Sequence, residues 1–279
     1  MKRMKKKKKK KRTEREGSDE EEEDEEDEED EKEDEEDEKE EEEEEEEEVT
    51  YESALGWLST VECHTMLNSN FILPLETHDA LFPFQRLSMD WFYNIHKMNV
   101  GSILGDEMGL GKTVQVAAFL AGLHRMKHLP RPSIIICPAT VLANWVNELH
   151  LWAPLLRVYV MHPSGSSMGD HKMSRGQILR SALSWGSGSI LIMTYSTFRS
   201  EQLLLLRHEY SYCILDEGHK IRNPDAKATL AIKQVQTRHR LLLTGAPMQN
   251  NLKELWSLFD FVYPGLLGTR KKFLAYFAR

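Results

Sequence analysis

Gly105-Asp106-Glu107-Met108-Gly109-Leu110-Gly111-Lys112-Thr113 is the stretch that decides the fold. A short apolar run, Ser102-Ile103-Leu104, leads into it, and a helical pattern from Thr113 to about His124 leads out. Strand, glycine-rich turn and helix, in that order, form a cradle for phosphate. Gly109 and Gly111 let main-chain N–H groups approach phosphate oxygens, and the helix N-terminus adds partial positive charge. In that setting Lys112 reaches the β- and γ-phosphates, and the Thr113 hydroxyl ligates Mg²⁺. The strict pattern G-x-x-x-x-G-K-[ST] is not met, because Asp106 occupies the first glycine position. Taken alone, the loop also fits a glycine-rich turn with an exposed lysine.

Alternation continues on the C-terminal side. Ser133-Ile134-Ile135-Ile136-Cys137 and Ile190-Leu191-Ile192-Met193-Thr194 are continuous apolar runs, as in strands buried on both faces. Arg157 to Met161, Tyr212 to Leu215 and Arg240 to Thr244 read as three more strands. Helical stripes lie between them. Leu142, Trp145, Val146 and Leu149 form one, with Thr140 as its expected cap. Ile178, Leu179, Ala182 and Leu183 form another, which Gly186 ends, and Ser200 to His208 reads as a short helix. Asn251 and Glu254 have capping-box spacing ahead of Leu252, Leu255, Trp256 and Phe259. His162 to Arg175 is polar and reads as a surface loop. These repeats predict an α/β fold: a parallel sheet between helices, with ligands at the C-terminal ends of the strands.

On the N-terminal side, Phe71 to Pro74 reads as a short extended segment docked on the domain. Pro83 opens a helix, in which the spacing of Leu87, Trp91 and Ile95 predicts a core-facing stripe. Gln85 lies in its first turn, and a glutamine amide can both donate to and accept from an adenine edge.

Residues 1–48 differ in kind. They hold 13 basic and 30 acidic residues, a net of −17, against +7 for the remaining residues. No core can form from such a segment, so it is expected to be disordered. The run Lys2 to Arg12 reads as a nuclear-localisation or nucleic-acid patch, and the acidic run fits a tail that holds basic partners or is merely solvated. The basic balance of the remainder suits a polyanion binder. Cys63, Cys137 and Cys213 are widely spaced without metal-ligand spacing, which fits a reducing compartment. No apolar run approaches the ~20 residues of a membrane span. The expected division is a low-complexity tail at 1–48, an N-terminal extension at 49–80, a nucleotide-binding lobe at 81–268 and the start of a continuation at 269–279.

Two further polar clusters follow strands. Asp216-Glu217-Gly218-His219 directly follows Tyr212 to Leu215. An aspartate there can hold Mg²⁺ that bridges the phosphates, and the next carboxylate can orient and deprotonate a water. The third, Thr244 to Asn251, carries no chemistry by spacing and is explained by a turn and a helix cap.

At this point the sequence resembles a known family. GDEMGLGKT at 105–113, ILDEGHKIRNP at 214–224 and LTGAPMQNNLKELWSLFDFVYPG at 243–265 resemble motifs I, II and III of the Swi/Snf-type ATPases of helicase superfamily two. Leu81-Phe82-Pro83-Phe84-Gln85 resembles the upstream motif that reads adenine. Pro138 to Trp145 resembles motif Ia, and Leu191 to Phe198 resembles motif Ib. The DEGHKIRNP form points to the Cockayne syndrome group B branch, which acts in transcription-coupled repair. The family's usual loop also lacks the first glycine, which removes the objection raised by Asp106.

The resemblance implies a RecA-like lobe that binds ATP and Mg²⁺, part of a nuclear, double-stranded-DNA-dependent translocase in repair, transcription or chromatin remodelling. RNA polymerase II and nucleosomes are the partners it offers. Carried over by position, residues Asp106 to Thr113 and Gln85 hold nucleotide, Lys112 holding phosphates, while Thr113 and Asp216 hold Mg²⁺. Glu217 is the base. His219, Thr244, Gly245 and Gln249 couple nucleotide state to DNA, and Pro138, Ala139, Thr140, Thr194 and Tyr195 lie along one DNA strand's phosphates. Ala246 departs from the family's usual Thr or Ser. The family's second RecA-like lobe, with its arginine fingers, is not among these 279 residues. The residues present are therefore expected to act as an ATP- and DNA-binding module with little turnover of their own.

Overall fold

The computed structural model describes residues 62–66, 68–161, 166–168, 171–245 and 251–277. The expected disorder of residues 1–48, and the segment Ala246 to Asn250 with Gln249, lie outside these residues.

Six parallel strands form the central sheet: β3 (Ser102–Leu104), β4 (Ser133–Cys137), β5 (Arg157–Met161), β8 (Ser189–Thr194), β9 (Tyr212–Leu215) and β10 (His239–Leu243), in the order β3-β10-β9-β4-β8-β5. Successive side chains of a strand point to opposite faces, and here both faces are apolar. Ile135, Cys137, Ile190, Ile192, Ile214, Leu241 and Leu243 pack into one layer. Ile134, Ile136, Leu191, Met193, Cys213, Leu215 and Leu242 pack into the other. The first layer is completed by α2 (Pro83–Lys97), α3 (Lys112–Arg125) and α4 (Leu142–Trp152). The second is completed by α5 (Arg175–Trp185), α6 (Tyr195–Leu205), α7 (Lys227–Ile232) and α8 (Leu252–Val262).

The segment Phe71 to Pro74 docks on the domain as expected. β1 (Cys63–Thr65) and β2 (Ile72–Pro74) pair antiparallel, and a one-turn helix α1 (Leu75–Ala80) follows. Phe71 and Leu73 are fully buried. The Phe71 ring lies so close to Gly122 of α3 that a Cβ there would meet it at 2.2 Å. Each of these side chains contributes about 1.5–3 kcal/mol by burial.

Four local expectations are corrected. Leu87 is 68% exposed and Trp91 is exposed, with Ile95 only half-buried; α2 instead buries Gln85, Met89, Asp90, Phe92 and Tyr93. Buried Asp90 is held by the Ser69 hydroxyl and the Asn68 amide, contacts 21 and 22 residues away that no helical period reveals. Thr140 does not cap α4: it lies inside a 3₁₀ turn, Ala139–Val141, and α4 begins after Val141 without a side-chain cap. Within the expected loop at 162–175, β6 (Ser166–Met168) and β7 (His171–Met173) form a small hairpin. Ser174 then caps α5, accepting the N–H of Gln177 at 3.2 Å while Gln177 Oε1 accepts the N–H of Ser174 at 2.8 Å. The short helix expected from Ser200 starts earlier, at Tyr195, because Thr194 Oγ1 accepts the N–H of Thr197 and caps it. Past α8, Arg270–Phe277 forms α9.

At the N-terminal end of the sheet three imidazoles stack. The ring of His96 lies 4.3 Å from that of His239 and 5.3 Å from that of His128, and His96 Nδ1 shares a hydrogen bond with the Tyr212 hydroxyl at 2.8 Å. Burial, then the neighbouring histidines, pull His96 down to about 4. Burial, then Arg238 and His128, do the same to His239, also to about 4. An unfolded histidine titrates near 6.5, so between those values the unfolded chain binds more protons than the folded one. The stability present above pH 6.5 is therefore lost as pH falls toward 4. A thermal melt at pH 5 should come several degrees below one at pH 7, and His239→Phe, which keeps a ring but cannot charge, should narrow that gap. A melting temperature flat across the window would contradict this.

Candidate active site

The parallel arrangement puts the exits of β3, β10, β9, β4 and β8 on one edge of the sheet. The exits of β3, β9 and β10 carry the three polar clusters found in the sequence. After β3 the loop runs through Gly109, at φ +88°, and Gly111, at φ +70°, which precedes the first residue of α3. Both conformations belong to the left-handed region that glycine enters without strain.

Two buried glutamines hold the loop. Gln115 Nε2 donates to Asp106 Oδ2 at 3.1 Å and to the Leu110 carbonyl at 3.2 Å, which ties the two ends of the loop together. Gln85 is 4% exposed; its Nε2 donates to the same Leu110 carbonyl at 3.3 Å, and its Oε1 accepts the Phe82 N–H at 3.0 Å. Lys112 Nζ donates to the carbonyls of Asp106 at 2.8 Å and Glu107 at 2.9 Å. Thr113 follows it in the first turn of α3, while Met108 projects outward, 76% exposed.

The neighbouring exit closes on this loop. The Thr244 N–H donates to the Leu104 carbonyl at 3.1 Å. A Cβ on Gly245 would meet Met108 Cγ at 3.1 Å, so the segment after β10 passes directly against the loop.

Asp216 directly follows β9, its N–H donating to the Ile136 carbonyl at 2.9 Å. Its Oδ1 accepts the Glu217 N–H at 2.8 Å, its Oδ2 accepts the Trp145 indole N–H at 2.8 Å, and its carbonyl accepts the Tyr195 hydroxyl at 2.7 Å. Burial pushes the Asp216 carboxyl above the usual carboxylate range, while the bonds from Trp145 and Glu217, and the charge of Lys112, pull it back. Glu217 adopts φ +54°, a left-handed conformation unusual for a residue with a Cβ, and its side chain is about one-third exposed. His219 Nδ1 sits 3.0 Å from Glu217 Oε2.

A 3₁₀ turn, Gly218–Ile221, follows and is anchored by the buried Ser257 hydroxyl of α8, which donates to the Ile221 carbonyl at 2.7 Å. Glycine at 218 is required by packing: a Cβ there would meet Leu242 Cδ2 at 2.4 Å. Gly218→Ala should therefore destabilise the fold by about 1–3 kcal/mol in denaturant unfolding. An unchanged midpoint would show that the turn adjusts freely. Asn251 caps α8 by accepting the Lys253 N–H at 2.9 Å, but the expected capping box does not form: the Glu254 carboxylate lies 3.7 Å from Arg222 instead.

At the β4 exit, Pro138 leads into the 3₁₀ turn, with Ala139 and Thr140 exposed. At the β8 exit, Thr194 is buried and its hydroxyl serves the α6 cap, with Ser196 Oγ at 2.8 Å. The Tyr195 hydroxyl is turned to Asp216 rather than outward. Sequence reasoning missed Gln115, whose one signal is its place in the first turn after Lys112, and the inward roles of Trp145 and Tyr195, whose partners are 71 and 21 residues away.

A phosphate loop and a strand-end aspartate on one edge of a parallel sheet define a nucleotide-binding α/β protein. The chain belongs to the SNF2-related domain family, whose model matches residues 84–279. It is 46% identical over 227 residues to the DNA excision repair protein ERCC-6 of Mus musculus, covering 78% of this chain and 15% of that protein. It is 42% identical over 240 residues to the DNA repair and recombination protein RAD26 of Saccharomyces cerevisiae, covering 73% of this chain and 22% of that protein. Among solved structures, the Sulfolobus solfataricus SWI2/SNF2 ATPase core in complex with dsDNA superposes with a TM-score of 0.63 at 32% identity, over 77% of this chain and 41% of that one. The α/β sheet is therefore the RecA-like fold of that core. The chain spans 15% and 22% of the length of these two curated relatives.

Proposed function

We propose that residues 81–268 are the ATP-binding lobe of an ATP-dependent DNA translocase acting in the nucleus, in repair, transcription or chromatin remodelling. The observation that carries this reading is the placement of the phosphate loop after β3 and of Asp216 after β9, at the same edge of the parallel sheet. It is supported by family membership and by similarity to the two DNA repair proteins.

The residues fit a nucleotide carrying Mg²⁺. The loop runs through Gly109 and Gly111 into the α3 N-terminus, where phosphate is favoured. A magnesium ion held partly by phosphate needs only one or two protein oxygens, which Thr113 and Asp216 supply. When bound, it neutralises charge on the transferred phosphoryl group. Lys112 exchanges two loop carbonyls for phosphate oxygens. Glu217 takes the proton of the attacking water, and His219, beside its carboxylate, senses whether it is free to do so. Gln85 offers its second amide hydrogen to adenine. Thr244 and Gly245, against the phosphate loop, carry nucleotide state onward with Gln249.

Duplex DNA is read without sequence preference, by main-chain N–H groups and the Thr140 hydroxyl at the β4 exit and by the segment at Thr194-Tyr195. A second RecA-like lobe completes the site, and RNA polymerase II or nucleosomes are the larger assemblies this reading offers. The test is titration of a fluorescent ATP analogue and of a DNA duplex into the chain. Binding of the analogue should require Mg²⁺ for full strength, and DNA affinity should fall steeply with salt. Salt-insensitive DNA binding, or none at low salt, would remove the DNA half of the reading; failure to bind the analogue would remove the nucleotide half.

A further inference from the structure

We propose that Trp145 and Tyr195 are positioning residues that hold Asp216 in the orientation needed to ligate a metal ion. The inference rests on the reading of Asp216 as a metal-holding residue.

The geometry of Asp216 is unusually constrained. All four of its main-chain and side-chain polar positions are engaged: N–H to Ile136, carbonyl from Tyr195, Oδ1 from the Glu217 N–H, Oδ2 from the Trp145 indole. A carboxylate oxygen has two lone-pair directions, so one accepted bond per oxygen leaves the other free for a cation. The carboxylate is thus fixed in rotation without being used up.

The indole supplies this bond from an immobile base. Trp145 is fully buried within the first core layer. An indole N–H can only donate, and burying it without an acceptor is costly, so the bond to Asp216 is enforced from both ends. Tyr195 does the same for the main chain: at the first position of α6, its hydroxyl reaches the Asp216 carbonyl. Neither residue reaches the phosphate loop by any of these bonds, so both act through Asp216. Partners of metal-ligating groups typically tune affinity 10–100-fold.

The competing account is that Trp145 merely fills space. The two are separated by removing the donor and keeping the volume. In the 279-residue chain, Trp145 is replaced by 3-benzothienylalanine, the same bicycle with sulfur in place of N–H, and separately Tyr195→Phe is made. Mn²⁺ affinity is read by electron paramagnetic resonance in the presence of a non-hydrolysable ATP analogue. Affinity for the analogue is read again in chelator, and the melting temperature is recorded. Each variant should lose about 10-fold in Mn²⁺ affinity while chelator-state nucleotide affinity stays at the native value and the melting temperature falls only by the few degrees that one lost hydrogen bond costs. Native Mn²⁺ affinity in both variants would overturn the proposal, as would a loss matched by an equal loss of metal-free nucleotide binding. Asp216→Asn is the control for the underlying reading: if it keeps full Mn²⁺ affinity, Asp216 is not the metal residue and both claims fall. If it loses affinity and the two variants do not, only the positioning claim falls.

Discussion

Lys112→Ala is expected to lower the affinity of the chain for ATP about 100-fold, roughly 2.7 kcal/mol. In the structure the ammonium group is bonded to two neutral carbonyls, those of Asp106 and Glu107. Phosphate offers charged oxygens instead, and a hydrogen bond to a charged group contributes about 1.5–3 kcal/mol. The magnitude therefore corresponds to one or two such bonds gained in the complex. The substitution removes no buried side chain, so the melting temperature should move by no more than about 2 °C. Isothermal titration with ATP and Mg²⁺ measures the first quantity and calorimetric melting the second. A small loss of affinity in a well-folded variant would place the phosphates somewhere other than the loop after β3.

Glu217→Gln should behave in the opposite way. Nucleotide affinity should stay within about 3-fold, while turnover falls about 10²–10⁴-fold, the usual range for loss of a general base. Glutamine keeps the shape of glutamate and an acceptor for His219, and the left-handed conformation at φ +54° costs both residues alike. Only the ability to take a proton from water is removed, and that is needed only in the transition state. Turnover is best read with this lobe joined to a second RecA-like lobe of the same family, with duplex DNA present. An arginine finger, which the second lobe would bring, is worth about 10³–10⁵ in rate. Equal losses of binding and turnover in the variant would show that Glu217 shapes the pocket rather than the chemistry.

The sheet was legible because its strands are buried on both faces and read as unbroken apolar runs, such as Ser133–Cys137 and Ser189–Thr194. The phosphate loop was legible because its conformation demands particular residues at particular positions. Helix α2 was misread for a physical reason. It carries two apolar stripes, one with Phe84, Leu87 and Trp91 and another with Met89, Phe92 and Tyr93, and both satisfy the helical period. What chose between them was the docking of β2 and the burial of Asp90 beneath Ser69, both long-range events. Thr140 was misread because it lies inside the 3₁₀ turn that precedes α4. The contacts that shape the candidate site, Gln115 and Gln85 on Leu110 and Trp145 on Asp216, join residues from different elements or opposite ends of a loop. Spacing along the chain carries no trace of them.

We propose that one sheet edge, between Lys112 and Asp216, holds the phosphates of ATP. A crystal structure of the chain grown with a non-hydrolysable ATP analogue and Mg²⁺ tests it most directly. The claim predicts the phosphates against the N–H groups from Gly109 to Thr113, Lys112 swung from the Asp106 and Glu107 carbonyls onto them, and a cation between Thr113 and Asp216. Phosphates bound elsewhere, with Lys112 still on those two carbonyls, would contradict it.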